Sequence, residues 1–341
     1  MPEARTMPPL ERLLYLKRIP ILAGLPASEL LTIADAASER FFPKGSVVFH
    51  EGDRASSMHF VVEGALAHER QGRRVGLVGP GGGLGALPLL ARAAMASRAV
   101  AESDTLTLEI DADAVAEVLE DRFQIVQYLL RELSRQALEL LRRNRLDPNL
   151  FAPELPVSLQ EDGGLDLVDR LLLLRRMPVF GRTSITALAE LARTMANVRY
   201  EVGTQLWQEG EPSQGIVMIS SGRVQASGSG EVAFQAGPGF PLGALEALAQ
   251  TPRWYAARAL TPVVALQLQP DVLVDLLEDN FEMAMDYLAL VSSVTLRILA
   301  WKAEQEPGSE AALEGWSSPQ VLAGAREAGL SSGRAGGSHE P

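Results

Sequence analysis

Pro241-Leu242-Gly243-Ala244-Leu245, followed by Pro252-Arg253, has an earlier twin in Gly83-Leu84-Gly85-Ala86-Leu87, followed by Met95. In each copy a Gly-rich run leads into one short apolar turn, and a strand is expected after it. Such a turn exposes free backbone N–H groups at a helix start, where an anionic phosphate can dock. An arginine entering from the next strand gives that phosphate a fork of charged donors. The second copy has Arg253 in that place; the first has Met95.

Outward from these stretches the two copies stay in register. Arg12-Leu13-Leu14-Tyr15-Leu16-Lys17-Arg18-Ile19-Pro20-Ile21 matches Arg170-Leu171-Leu172-Leu173-Leu174-Arg175-Arg176-Met177-Pro178-Val179, at an offset of 178 − 20 = 158. The offset holds for Gly45 and Gly203, Glu51-Gly52 and Glu209-Gly210, and Gly64 and Gly222. It holds again for Gly79-Pro80-Gly81 and Gly237-Pro238-Gly239, and for Leu119-Glu120-Asp121 and Leu277-Glu278-Asp279. No gap is needed, so the chain reads as two copies of one fold.

Each copy opens with helical patterning, seen in Leu13, Leu14, Leu16 and in Leu30, Leu31, Ile33, Ala34. Ile19-Pro20 breaks the first helix, and Pro26-Ala27-Ser28-Glu29 starts a second, with Glu29 near its positive end. Ser46–Phe49, Met58–Val62 and Thr105–Ile110 read as strands, separated by turns at Glu51-Gly52-Asp53-Arg54 and Glu63-Gly64. Short strands with closely spaced turn glycines suggest a sandwich or jelly roll. Helices follow from Ala112, among them a long amphipathic one over Phe123–Arg145, and Phe281–Glu304 is its counterpart. Residues 146–164, with Pro148, Pro153, Pro156 and Gly163-Gly164, read as a linker. Gly, Ser, Ala and Glu dominate from Pro307 onward, so residues 305–341 are expected to be a disordered tail.

The bulk properties exclude several classes. The chain of 341 residues suits about two domains, and its 47% hydrophobic content is ample for packed cores. A net charge of −12 argues against nucleic acid and against an anionic membrane surface as partners. With no cysteine, disulfides, thiolate metal sites and cysteine nucleophiles are ruled out. Met1–Pro9 lacks the apolar core of a signal peptide. The most apolar stretch, Tyr287–Trp301, is short for a membrane helix and carries Arg297, so a cytoplasmic protein is expected.

The Gly-rich turns resemble the phosphate-binding cassette of cyclic nucleotide-binding domains, which reads roughly Phe-Gly-Glu-x-Ala-Leu, then Pro-Arg-x-Ala. Pro43-Lys44-Gly45-Ser46-Val47-Val48-Phe49-His50-Glu51-Gly52-Asp53 looks like that family's Gly-x-x-Ile-Phe-x-x-Gly-Asp segment. Arg18-Ile19-Pro20-Ile21-Leu22-Ala23-Gly24-Leu25 resembles its helical entry. The resemblance covers residues 12–145 and 165–304. It implies a mainly β fold with flanking helices: two tandem β-roll (jelly-roll) domains over 10–145 and 165–304. Family members gate a kinase, a channel or a DNA-binding domain when cyclic AMP or cyclic GMP closes the last helix over the pocket.

The resemblance also implies which residues face the ligand. They are Leu242, Gly243, Ala244, Leu245, Arg253 and Trp254 in copy two, and Gly85, Ala86 and Met95 in copy one. The family's ribose-binding Glu is replaced by Ala86 and Ala244, and its phosphate Arg, nine residues on, is Met95 in one copy (95 − 86 = 9) and Arg253 in the other (253 − 244 = 9). A hydrogen bond to a charged group contributes about 1.5–3 kcal/mol, so losing both anchors lowers affinity by roughly two to four decades. Copy one is therefore not expected to hold cyclic AMP in the usual pose. Copy two keeps one anchor, with the bulky Trp254 beside it.

Other residues have plainer roles beside their functional ones. Arg253 is either a phosphate ligand or a strand arginine paired with Glu246. Arg98 is a replacement cation or, more often in such a place, a surface arginine. Glu246 lies two positions past Ala244 and does not share its helix face. Arg131, Arg135, Arg142, Arg143 and Arg145 form a partner surface or a solvated helix face. His50, His59 and His68 lack the close His-x-His pair of a metal-binding cupin, so no metal is expected. No nucleophile elbow, P-loop or catalytic carboxylate pair is present, so no enzyme and no cofactor are expected beyond a weakly held cyclic nucleotide. Three readings stay open. The first is a regulatory protein sensing a cyclic nucleotide or similar phosphorylated ligand through copy two. The second is a non-sensing adaptor that binds a protein partner or a second copy of itself. The third is a transcription regulator, for which no helix-turn-helix is visible.

Overall fold

Proline, acidic caps and positive-φ glycines set where the elements begin and end. The structure, a computed structural model, describes residues 7–150, 165–228 and 231–305. The expected tail beyond residue 305 and the linker residues 151–164 lie outside the described residues. In chain order the first copy holds helices α1 (Pro9–Leu16) and α2 (Ala27–Ala36), then strands β1 (Ser38–Phe42), β2 (Val47–Phe49), β3 (Ser57–Glu63), β4 (Leu66–Arg70), β5 (Arg73–Val78) and β6 (Gly83–Leu84). The short cassette helix α3 (Ala86–Leu90) follows, then β7 (Arg98–Ala101), β8 (Thr105–Asp111), α4 (Ala112–Asp121) and α5 (Phe123–Arg143). The second copy repeats this with α6 (Leu167–Arg176), α7 (Ile185–Thr194), β9 (Ala196–Tyr200), β10 (Gln205–Trp207), β11 (Ile216–Ser221), β12 (Val224–Gly228), β13 (Glu231–Ala236) and β14 (Pro241–Leu242). It closes with α8 (Ala244–Ala249), β15 (Ala256–Ala259), β16 (Val263–Leu268), α9 (Pro270–Asp279) and α10 (Phe281–Gln305).

The strands of each copy form two four-stranded antiparallel sheets, β1-β8-β3-β6 with β2-β7-β4-β5, and β9-β16-β11-β14 with β10-β15-β12-β13. That order is the expected jelly roll. Nearly every element of copy two begins 158 residues after its twin, as β1 and β9 do (196 − 38 = 158). Irregularities repeat as well: β3 bulges between Val61 and Glu63, and β11 between Ile219 and Ser221. Just after each bulge a glycine turns with positive φ, 81° at Gly64 and 88° at Gly222. A Cβ there would lie 2.3 Å from the Asp104 carbonyl oxygen or 2.2 Å from that of Pro262, so only glycine fits.

Each roll fills with alternating inward side chains. Phe49, Val61, Leu66, Val78, Leu84, Met95 and Ala99 pack together in the first. Trp207, Ile219, Val224, Phe234, Leu242, Tyr255 and Ala265 do so in the second. The helices are capped locally: Asp111 accepts from the Ala114 amide at 2.8 Å, and Asp166 with Asp169 forms a capping box at α6.

The chain separates into two compact units, with boundaries between Ile125 and Val126 and between Ile298 and Leu299. The first boundary falls inside α5. From Val126 onward, the buried face of α5 (Val126, Leu130, Leu133, Ala137, Leu141) belongs to the second unit. One helix bears on the membrane expectation. Phe281–Lys302, a 22-residue span within α10, is long and apolar enough to cross a membrane, the one such helix among the described residues. Half of its most apolar window is buried within the protein, as suits a core helix.

Candidate functional site

Strand β14 delivers the chain to Gly243, whose φ of 76° starts α8. A Cβ on Gly243 would sit 1.7 Å from Nη1 of Arg253, so the missing side chain makes room for the guanidinium. Arg253 is only 4% exposed. Its Nη1 donates to the Gly243 carbonyl at 3.3 Å, and its Nη2 to the Gly215 carbonyl. Its guanidinium carbon lies 4.1 Å from the centre of the Trp207 ring, within cation–π range. Nε has no hydrogen-bond partner. The expected alternative, an ion pair with Glu246, does not form: no ion pair of Arg253 occurs among the described residues. Burial pushes the Arg253 pKa down, and the Glu246 charge partly offsets this.

Around this cation the polar groups are largely satisfied from within. The Gly243 amide donates to the hydroxyl of Tyr255 at 3.1 Å, and the Trp207 indole N–H donates to the Tyr255 carbonyl at 3.0 Å. Burial raises the Tyr255 pKa well above its ordinary value, so the phenol keeps its proton. Trp254 is half-buried, edge-on to Tyr255 at 5.1 Å and 5.9 Å from Phe234. Leu242 is buried in the roll, while Ala244 and Leu245 are half-buried on α8.

Copy one has the same backbone frame around a different side chain. The Gly52 amide bonds the Met95 carbonyl at 2.8 Å, as Gly210 bonds Arg253 at 2.8 Å. Gly85 turns at φ 80°, and a Cβ there would meet Cε of Met95 at 3.2 Å and the Ser57 carbonyl oxygen at 2.6 Å. Met95 is 3% exposed and packs into the apolar core, so an uncharged thioether stands where copy two holds a cation. Ala86 is buried at the start of α3. Arg98, the other candidate cation of copy one, instead pairs with Glu69 at 3.4 Å on the surface.

The remaining candidates resolve as structure. His59 is buried beside Ser57 and Thr107, and His68 beside Ser97. Burial lowers both pKa values to about 4, so both rings are neutral at pH 7. Among the described residues no three His, Asp or Glu side chains gather as metal ligands. Arg135 pairs with Glu132 and Arg143 with Glu139 along α5, in the manner of a solvated helix face.

Two residues of the site escaped the sequence reading, Trp207 and Tyr255, and Glu246 was read only as a partner for Arg253, not as a deeply buried acid. Glu246 is 2% exposed, and burial raises its pKa to about 7. Its signal was present, since the matching position of copy one (246 − 158 = 88) is Pro88. An acid in one copy and an apolar residue in the other marks a position that the fold itself does not require to be charged.

Comparison with known proteins agrees with this architecture. Residues 39–122 and 197–280 each match the cyclic nucleotide-binding domain family. The chain is similar to the regulatory domain of Toxoplasma gondii PKA, solved with cAMP, at 16% identity and a TM-score of 0.32, covering 87% of this chain and 97% of that one. It is similar to the N-terminal domain of a transcriptional regulator from Streptomyces coelicolor A3(2), at 24% identity and a TM-score of 0.35, covering 38% of this chain and 94% of that one. A "Putative potassium channel protein" of Rhodopseudomonas palustris is 33% identical over 98 residues, 28% of this chain; the match spans only 24% of that relative's length. The family-model matches over 39–122 and 197–280 identify the chain as one that carries two tandem domains of the cyclic nucleotide-binding family.

Proposed function

We propose that this is a non-enzymatic regulatory protein in which the second domain responds to a phosphate-bearing ligand of the cyclic-nucleotide class. The first domain is a structural copy. The observation that carries this reading is Arg253, buried beneath the cassette glycine with no ion pair and with Nε unpartnered. A buried cation held only by carbonyls and an aromatic face is costly, and an incoming phosphate would neutralise it. Met95 offers no such attraction in domain one. Because Ala244 replaces the sugar-binding acid and the Arg253 donors already serve carbonyls, the affinity expected is weak. Regulation would pass to a protein partner or to a second copy of the chain.

A second reading is favoured by the Tyr255 hydroxyl on the Gly243 amide and by the aromatic packing of Phe234, Trp254 and Tyr255. With the crevice satisfied by its own side chains, the protein would act as a non-sensing adaptor. Calorimetry with cyclic AMP, cyclic GMP and a cyclic dinucleotide separates the two. Sensing predicts binding that is retained in part by Arg253→Lys and lost in Arg253→Ala. Absence of heat from wild type at millimolar ligand leaves the adaptor.

A further inference from the structure

Helix α1 of the first domain presents an apolar pair to solvent. Leu10 and Leu14, one turn apart on the same face, are 66% and 57% exposed. Lys17 and Arg18 follow at the C-terminal end of the helix, both exposed, and neither forms an ion pair among the described residues. The one acid of α1, Glu11, lies near its other end. The inner face is closed: Leu16 is buried, and Arg12 and Tyr15 donate to the Ala37 and Val61 carbonyls.

Such a patch is smaller than a free-standing protein interface, which needs about 1,200 Å² or more. A tethered occupant escapes that limit, because a short flexible link supplies an effective concentration on the order of millimolar. The chain holds a suitable segment just past α10. Glu306-Pro307-Gly308-Ser309-Glu310-Ala311-Ala312-Leu313-Glu314-Gly315-Trp316 carries three acids, no base and two large apolar side chains. It lies outside the described residues, and it starts from Leu299–Gln305, the part of α10 grouped in the same compact unit as α1. The stretch from Gln305 to Trp316 (316 − 305 = 11) reaches up to roughly 35–40 Å, about the width of such a domain.

We propose that residues 306–316 dock on the exposed face of α1 in the same chain, with Leu313 and Trp316 covering Leu10 and Leu14 and the three glutamates facing Lys17 and Arg18. The matching face of α6 repeats the pattern in Val168, Leu172, Arg175 and Arg176 (168 − 10 = 158), but Leu299–Gln305 is not grouped with the unit that holds α6. Docked there, the segment excludes from α1 any protein partner that would use the same leucines. The contact is independent of whether Arg253 receives an anion.

The chain has no cysteine, so Ser317→Cys takes a single nitroxide label beside the segment. The EPR spectrum of the full chain at low salt should show about half of the spins immobilised, the occupancy of a millimolar contact at millimolar effective concentration, and this fraction should stay constant over about tenfold dilution. It should fall sharply in Leu10→Ser/Leu14→Ser and in Lys17→Glu/Arg18→Glu, and persist in Leu172→Ser. Glu306→Lys/Glu310→Lys/Glu314→Lys should lose it too, and combining those changes with Lys17→Glu/Arg18→Glu should restore it. A fully mobile label in the otherwise wild-type chain overturns the proposal. So does an immobilised fraction that grows with protein concentration, which would mean a second copy, or one that survives Leu10→Ser/Leu14→Ser or is lost in Leu172→Ser. The charge-swap pair keeps the test decisive if the leucine variant does not fold, and failure of that rescue also overturns the proposal.

Discussion

Arg253 and Met95 show how much one side chain changes while the backbone stays the same. Both are buried, and both are held by the same pair of main-chain bonds. Only one carries charge, and that charge requires the glycine above it. Gly243→Ala should therefore cost at least about 2 kcal/mol in urea unfolding, combining positive-φ strain with displacement of a buried guanidinium. Gly45→Ala is the control: φ is 85°, but nothing lies within 4 Å of the added Cβ, so about 1 kcal/mol is expected. Equal losses would mean that close approach to Arg253 has no energetic weight. At this scale the sequence was informative about backbone and poor about burial. The spacing from Ala244 to Arg253 located the cation, but its bonding to carbonyls depends on Gly215, which is remote in sequence. Tyr255 corresponds to Ser97 and Trp207 to Phe49, and neither change announces on its own that a hydroxyl will reach a cassette amide.

Among the elements, the helices differ where the copies have diverged. Asp111 caps α4 through the Ala114 amide, whereas its counterpart at α9, Gln269, makes no side-chain cap bond. Asp111→Ala should lower stability by about 1 kcal/mol, and Gln269→Asp should raise it by up to about 1 kcal/mol; thermal denaturation reads both. A gain at Gln269 that fails to appear would mean that Pro270 has already fixed that helix start. Strands and short helices were legible because turn glycines and prolines punctuate them. The assignment of α5 was not. Its apolar stripe signals that one face is covered, but amphipathicity names no partner, and the contacts place most of this helix in the second unit.

For the whole molecule, the two units respond to acid in opposite senses. His59 and His68 have folded pKa values near 4, against about 6.5 in the unfolded chain. Their contribution is fully present above pH 6.5 and is lost as pH falls toward 4, by roughly 3 kcal/mol for a group such as His68. Glu246 runs the other way: raised to about 7 from an ordinary 4.5, it stabilises the fold below pH 4.5 and loses that contribution as pH rises through 7. Lowering the pH from 7 to 5 should weaken the unit holding β1–β8 and strengthen the one holding β9–β16. Trp207 and Trp254 lie in the second roll, whereas Trp301 belongs to the first unit and Trp316 lies outside the described residues. With Trp301 and Trp316 replaced by Phe, tryptophan emission and far-ultraviolet circular dichroism should therefore report unfolding midpoints that separate as pH falls; coincident midpoints at pH 5 would count against the assignment.

The shared register of the two rolls has a cost during refolding. Strands that begin at a constant interval, bulge alike and turn on equivalent glycines can be mistaken for one another by a growing nucleus. β3, of seven residues against six in β11 and bulged at the same place, can seat itself where β11 belongs, in the same chain or in a neighbour. Concentrated refolding should thus yield entangled dimers that dilute solution avoids. Divergent side chains at the cassettes, a methionine against an arginine and a proline against a glutamate, then act as proofreading marks that make the wrong exchange less stable.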